Sequence, residues 1–199
     1  GDSPAADKFS AWADTVAAAT GNPLDHWTHL ELKRFFGIDE LLTPATASDI
    51  WQRGNASLSE DGFTVRGLIR RANVEVICTT DDPADTLEYH QTIAGDASFQ
   101  TSVLPTSRAD RCLQIGNPAW PEWLNKLVMA ENRPIDSLEA FKAVLTRRIA
   151  HFKTAGCRVA DLSLESVCFK TTDDEQAAGI FQRWLNGVQL TDEDVCRFK

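Results

Sequence analysis

Thr80, Asp81, Arg108 and Asp161 each follow a short apolar run, in the clauses NVEVICTTDD, SVLPTSR and CRVADLSLES. A run that is hydrophobic along its length and polar at its exit is the pattern of a buried parallel strand. Its C-terminal tip presents side chains at one edge of a sheet. An aspartate at such a tip can act as a general base or orient a hydroxyl, so Asp81 and Asp161 are candidates for either role, with Thr80 beside them. Arg108 offers a rigid fork for a carboxylate or phosphate. Structural roles stand beside each of these. Asp81 or Asp82 can cap a helix entered at Pro83, and the cap is the reading taken for Asp82. Arg108 can pair with Asp110, and Asp161 can cap a helix beginning near Ser163.

His26 and His29, with Glu31 nearby, invite a metal reading, but the strong zinc pattern on a helix places histidines at i and i+4 around a glutamate. His-Trp-Thr-His beside Leu24, Leu30 and Leu32 reads instead as a packed helix, and no metal ligand is assigned in this chain. His90 and His151 stand singly on helices and read as solvated or packed. The six tryptophans fall at helical spacings and read as core or interface. No serine or cysteine lies in a nucleophile motif, and there is no Gly-rich phosphate loop.

The elements that must position these residues alternate from Asn73 onward. Helix-like stretches at Val65–Arg71, Pro83–Ile93 and Leu138–Thr154 separate three strands near Asn73–Thr79, Gln100–Leu104 and Cys157–Asp161. That order predicts an α/β fold with parallel strands, adjacent in sequence order. The part before it is helical. Asp7–Ala19 stops at Gly21-Asn22, Pro23 suits the first turn of the next helix and Gly37 its end, and Thr46 or Ser48 can cap a third. After the last strand, Ala177–Trp184 is amphipathic and Thr191 caps a short final helix, its neighbours Asp192 and Glu193 suiting the dipole. Residues 1–64, 65–170 and 171–199 are expected to form three regions of one structural domain. Three β/α units do not close a barrel, so either helices or neighbouring chains cover the open edges, or residues that belong to the fold are absent.

A net charge of −9, spread along the chain, gives no electrostatic gain with nucleic acid or an anionic membrane, and neither is expected as a partner. No apolar stretch approaches membrane-spanning length and no signal-peptide pattern opens the chain. The five cysteines form no C-x-x-C pair; reduced, buried thiols and a cytoplasmic location are expected, with Cys78 and Cys157 inside strands.

At these residues the chain resembles the uronate isomerases, the glucuronate isomerase family of amidohydrolase-like barrels. Gly21-Asn22-Pro23-Leu24 followed by His26-Trp27-Thr28-His29-Leu30-Glu31-Leu32 is similar to the family's most recognisable helix. Phe36-Gly37-Ile38, Ile50-Trp51, Asn73 to Pro83, Leu87-Glu88-Tyr89-His90, Val103-Leu104-Pro105 and Gly156-Cys157-Arg158-Val159 continue the match in order. The family's His-x-His metal pair would lie before residue 1, and its last metal-binding aspartate after residue 199. The chain thus resembles the middle of a longer enzyme, a partial (β/α) barrel with three parallel strands behind a helical N-terminal insertion. Where the family usually reads Arg-Pro-Asp-Lys, this chain has Arg108-Ala109-Asp110-Arg111; where it reads Ser-Asp-His, this chain has Ala160-Asp161-Leu162.

The resemblance implies an aldose–ketose isomerisation, D-glucuronate to D-fructuronate or D-galacturonate to D-tagaturonate, moving a proton between C2 and C1 through an enediol. It implies a divalent metal, zinc, for the complete enzyme, held by ligands outside this chain. Arg108 would hold the uronate carboxylate, Thr80 and Asp81 would contact substrate, and Asp161 would be the catalytic residue that contacts hydroxyls or positions the sugar. The isolated chain is expected to bind the sugar acid weakly, to turn nothing over and to associate with further copies. The alternative is a non-catalytic half-barrel that serves in assembly or sugar-acid binding.

Overall fold

The helical opening of the sequence becomes α1 (Ala5–Ala18), α2 (Pro23–Phe36), α3 (Ala47–Leu58) and α4 (Val65–Arg71) in the computed structural model, which describes residues 2–163, 168 and 170–199. The chain divides into two compact units, Gly1–Val74 and Glu75–Lys199. The sequence placed a division after residue 64; α4 instead groups with the helices before it, and residues 171–199 group with the strands.

At α2 the stop and start signals act as read. The Asn22 side chain accepts the Leu24 N–H at 2.9 Å, Pro23 occupies the first turn of α2, and Gly37 ends it at φ +66°. That left-handed backbone lets the Gly37 and Ile38 N–H groups reach back to the Lys33 and Leu32 carbonyls. Thr46 stands at the start of α3, but its hydroxyl donates to the Leu41 carbonyl at 2.7 Å instead of capping the helix. Gly67 is required by close approach, since a Cβ there would run into the Gly62 carbonyl. Ala13, Val16, Leu32, Ile38, Leu42, Ala47 and Ile50 form the core of this unit. His29 serves that core: its Nδ1 bonds the Asp25 carbonyl at 2.8 Å, and its Nε2 accepts the Leu42 N–H at 2.9 Å. Both ring nitrogens are thereby spent on structure.

The second unit contains β1 (Val76–Cys78), α5 (Glu88–Ala94), β2 (Ser102–Leu104), β3 (Thr106–Arg108), a 3-10 turn at Asp110–Leu113, α6 (Trp120–Glu131), α7 (Leu138–Thr154), β4 (Val159–Asp161), α8 (Asp174–Leu185) and α9 (Asp192–Phe198). The fold is mixed α/β with short parallel strands. Three long strands in one sheet were expected; four three-residue strands in two pairs are found, β1 beside β2 and β3 beside β4, both parallel. Pro105 divides the middle run. It has no N–H to donate, and the next N–H, that of Thr106, goes to the Asp81 carboxylate at 3.1 Å. The pairing nevertheless carries on: Thr79 N–H donates to the Leu104 carbonyl, Asp81 N–H to Thr106, and Arg108 N–H to Asp81, with an isolated parallel bridge between Asp81 and Ser107. Both pairings are parallel, as expected, but they stand as two pairs linked by one bridge and not as the single three-stranded sheet that the sequence led to.

The helix expected at Pro83–Ile93 starts later, at Glu88, because a turn occupies residues 82–85. Asp82 accepts the Ala84 N–H at 2.9 Å, while its own N–H donates to the Asp85 carboxylate at 2.8 Å. The carbonyls that a helix would use are taken by Arg148, whose Nε donates to Pro83 O at 2.6 Å and whose Nη2 donates to Asp85 O at 2.5 Å. Leu87, buried, then sits at φ +61°, an unusual conformation for a branched side chain, immediately before α5.

The core of this unit is built on α6, which the sequence reading did not place as a helix. Trp120, 2% exposed, meets Phe141, Phe181, Trp184 and Phe198 edge to face, and its Nε1 donates to the Arg111 carbonyl at 2.7 Å. Thr191 and Asp194 cap α9 reciprocally. No helix among the described residues is long and apolar enough to cross a membrane.

Arg148 on α7 is 5% exposed and also reaches Glu131 on α6 at 3.3 Å. Its replacement by alanine leaves two carbonyls without their donor and reduces the pairing of half-buried Glu131 to Arg147, at 3.2 Å. Arg148→Ala should lower unfolding free energy by about 3–5 kcal/mol, read from urea unfolding with an unchanged slope. A loss under about 1 kcal/mol would show that solvent replaces the guanidinium without penalty.

Candidate functional site

Strand alternation decides which of the four singled-out residues can meet. Successive side chains of a strand leave opposite faces. Along β1 and its exit, Val76, Cys78 and Thr80 are exposed, whereas Ile77, Thr79 and Asp81 are half-buried. The register pairs Arg108 with Asp161, and Asp81 with Ser107. Thr80, Arg108 and Asp161 therefore share the open face of the strands, and Asp81 leaves by the other face, beside α5. This open face also corrects the expectation of strands buried on both sides: Val76, Cys78 and Val159 are exposed, and among the five cysteines only Cys112 is buried.

On the open face the Arg108 guanidinium lies between two acids. Its Nε is 3.2 Å from a carboxylate oxygen of both Asp110 and Asp161. Neither oxygen lies in line with the Nε–H, so the contact is a Coulombic one and the buried N–H is left without a directional acceptor. The ion pair with Asp110, one of the two roles open to Arg108 in the sequence, is thus present, and Asp161 joins it. Asp161 is 57% exposed at its side chain. Asp110 is fixed by accepting the Ser163 N–H at 2.6 Å. The helix that Asp161 was expected to cap, from about Ser163, falls outside the described residues. An apolar recess of about 450 Å3 adjoins β4, with Ile149, Phe152, Val159, Asp161 and Leu162 among its walls. Thr80, Asp81 and Arg108 do not line it, so the single polar recess anticipated from the strand tips is not what these side chains form.

On the covered face a second polar cluster joins Thr79, Asp81 and His90. The Thr79 hydroxyl donates to Asp81 Oδ2 at 2.6 Å and lies 2.7 Å from His90 Nε2. A hydroxyl has one proton, and the short bond to a carboxylate is the stronger use of it. His90 Nε2 must then carry a proton and donate to Thr79. The buried Nδ1 is left as the orphaned atom of the ring. Asp81 Oδ1 lies 3.7 Å from the same Nε2. His90 was read from the sequence as an isolated helical histidine. Its link to Thr79 spans a turn and the first residues of a helix, and the only local sign of it was its place in Leu87-Glu88-Tyr89-His90.

Asp82 has neither of these roles. Beyond its turn bond it accepts the Trp123 Nε1–H at 2.7 Å and lies 3.4 Å from Arg111 Nε, tying the turn to α6. Among the described residues, no three His, Cys, Asp or Glu side chains converge as a metal would require. Asp81 and His90, the nearest approach to such a group, are already engaged with Thr79 and Thr106. The described residues do not fit a metal centre.

Comparison with known proteins matches a sequence model described as glucuronate isomerase to residues 1–199. The chain is 45% identical over 199 residues to a uronate isomerase of Bacillus subtilis, covering all of this chain and 42% of that protein. It is 44% identical to a uronate isomerase of Pectobacterium carotovorum, again over all of this chain and 43% of the relative. Its structure superposes on a crystal structure of uronate isomerase from Thermotoga maritima with a TM-score of 0.88, at 31% identity, over all of this chain and 44% of that one. A glucuronate isomerase structure from Caulobacter crescentus shares the fold, with a TM-score of 0.86 at 22% identity. The chain spans less than half the length of the curated relatives it matches.

Two outcomes follow from the geometry. Thr79→Val deprives Asp81 of a donor and His90 of an acceptor, so it should cost about 1–3 kcal/mol of stability by denaturant unfolding; a change of a few tenths would mean the cluster is solvated. Burial, helped by nearby Asp82 and Asp110, pushes the Cys112 thiol up to about 12. The stability carried by the neutral thiol is complete below the ordinary value of 9.0 and is lost as pH rises toward about 12, because the unfolded chain ionises first. At pH 8 an aromatic disulfide reagent should label Cys78 rapidly and Cys112 only on unfolding. Equal labelling rates would contradict the burial.

Proposed function

Because this chain belongs to the glucuronate isomerase family, we propose that it is part of a uronate isomerase, contributing one arc of a (β/α) barrel and part of its substrate contacts. The reaction is the aldose–ketose interconversion of D-glucuronate and D-fructuronate. The observation that carries this reading is the shared open face of Thr80, Arg108 and Asp161. Tips of parallel strands gather at one end of a sheet, and in a closed barrel the face now exposed on Val76, Cys78 and Val159 would be turned inward.

Arg108 would hold the uronate carboxylate and Asp161 would receive sugar hydroxyls. Thr80 would add a hydroxyl contact from the neighbouring strand. Asp81 would act from the covered face: it holds Thr79 and the Thr106 N–H, so it sets the strand tip and does not touch the sugar. The divalent metal that the resemblance implies for the complete enzyme would supply Lewis acidity when bound. We assign its ligands to parts of the protein beyond these residues, and the roles of Arg108, Asp161 and Thr80 do not depend on it.

Magnitudes argue that the chain alone does little. A charged two-point contact contributes about 1.5–3 kcal/mol, whereas a millimolar complex needs about 4 kcal/mol. Two carboxylates around Arg108 reduce the gain further by opposing an anionic ligand. Leu162, where the family commonly has histidine, removes a polar group from the same strand exit.

A second reading draws on the exposed apolar groups Val76, Val159 and Leu162. It is a non-catalytic module that associates with another copy through this face. Light scattering distinguishes the two: a dimer or larger species, unable to isomerise uronate even in the longer protein, supports the module.

The test of the main reading has two arms. Glucuronate titrated onto the isolated chain by NMR should bind no more tightly than about millimolar, with no isomerisation. In the longer protein, Arg108→Ala should lower kcat/KM by roughly tenfold to a hundredfold, mostly through KM. Turnover by the isolated chain that survives both Arg108→Ala and a metal chelator would overturn the assignment.

A further inference from the structure

His90 lies off the open face, yet the strand tip is held through it. Its ring has two neutral tautomers to choose from. With the proton on Nδ1, Nε2 would accept the Thr79 hydroxyl, Asp81 would lose that donor, and a buried N–H would have no acceptor among the described residues. With the proton on Nε2, the ring donates to Thr79 at 2.7 Å and the Thr79 hydroxyl donates to Asp81 Oδ2 at 2.6 Å. Only a lone pair on Nδ1 is then left over. A buried N–H without an acceptor is the harder defect to keep. The second tautomer therefore holds, and donation runs one way, from the α5 ring through a hydroxyl to the carboxylate.

Asp81 passes this hold on to the neighbouring run. Its Oδ2 also accepts the Thr106 N–H at 3.1 Å. Its backbone N–H donates to the Thr106 carbonyl at 3.2 Å, and its own carbonyl accepts the Arg108 N–H at 3.0 Å. The His90 and Asp81 side chains are 11% and 12% exposed, so water is a poor substitute for either partner. Arg108 needs this grip. Its Nε meets Asp110 and Asp161 without a directional bond, so backbone contacts to Asp81 and β4 decide where the side chain starts from.

We propose that His90 is a positioning residue for the sugar acid: it acts through Thr79 and Asp81 to fix the height of Arg108, and touches no substrate. This role rests on the reading of Arg108 as the group that holds the uronate carboxylate. Without the Nε2–H donor, the Thr79 hydroxyl is free to turn its proton to the Leu104 carbonyl, 3.2 Å away, and Asp81 keeps only the Thr106 N–H. A two-point contact between a guanidinium and a carboxylate depends on the placement of the fork, and a shift of about 1 Å is enough to weaken it severalfold.

The experiment uses the longer protein. His90→Leu removes the donor, whereas His90→Gln keeps an N–H at about the reach of Nε2. His90→Asn, polar but one bond short, takes the place of His90→Leu if that variant does not fold. KM for glucuronate should rise roughly five- to thirtyfold in His90→Leu, with kcat within about threefold, and His90→Gln should bring KM back to within about twofold. A merely structural role would lower kcat through the folded fraction and leave KM alone. In an Arg108→Ala background, His90→Leu should add no further rise in KM, because both changes act on one contact. Hydrogen exchange read by mass spectrometry should be faster at the Thr106 and Arg108 amides in His90→Leu and unchanged in His90→Gln. The proposal is overturned if His90→Leu leaves KM unchanged while Arg108→Ala raises it, if His90→Gln behaves no better than His90→Leu, or if the rises multiply in the double variant. If Arg108→Ala itself leaves KM unchanged, the functional reading falls and takes the sugar-acid role of His90 with it, whereas faster exchange at Thr106 and Arg108 would still show the mechanical link.

Discussion

The buried guanidinium of Arg148 is the interaction on which the strand-bearing unit depends. A charge taken out of water is tolerated only when every part of it is answered. Here Glu131 supplies the counter-charge and the carbonyls of Pro83 and Asp85 take two more donors. Those contacts join α6, α7 and the turn after β1, three parts of the chain that are far apart in sequence. They also decide where α5 begins, because carbonyls bound to arginine are not available to a helix. His90 reaches Thr79 as a consequence. Asp82 reinforces the same turn from the other side through Trp123 and Arg111.

Pro105 is the second constraint. By withholding an N–H in the middle run it leaves Asp81 to bind Thr106 with its side chain, so a carboxylate takes part in the strand pairing itself. Asp81 is thereby committed to structure. Two adjacent residues, Thr80 and Asp81, with equal claims to ligand binding on chemical grounds, are separated into different roles by the alternation of a strand. The open face keeps Thr80, Arg108 and Asp161. The face packed toward α5 keeps Thr79, Asp81 and His90.

Much of this was legible in the residues. Gly37, Asn22-Pro23 and Thr191 mark helix ends through local bonds within a few residues, and local bonds follow the local sequence. Val65–Arg71 and Leu138–Thr154 form with the limits read from their pattern. The helix at Trp120–Glu131 carried the spacing of Trp120, Trp123, Leu124 and Leu127 with Pro121 in its first turn, a signal present and not used. The turn at residues 82–85 carried none, since its cause is an arginine on a distant helix.

The amino-acid sequence by itself determined the mixed α/β character, the parallel sense of the strand pairings and membership of a family. Each of these rests on periodicity or on motifs carried in consecutive residues. Tertiary structure alone decided which face each polar residue takes, that Arg108 lies between Asp110 and Asp161, and that His90 belongs with Thr79. It also decided that only Cys112 is buried. These depend on register, on side chains from separate elements meeting in space, and on which face of a strand is covered. A linear pattern does not contain those distances until the chain has closed on itself.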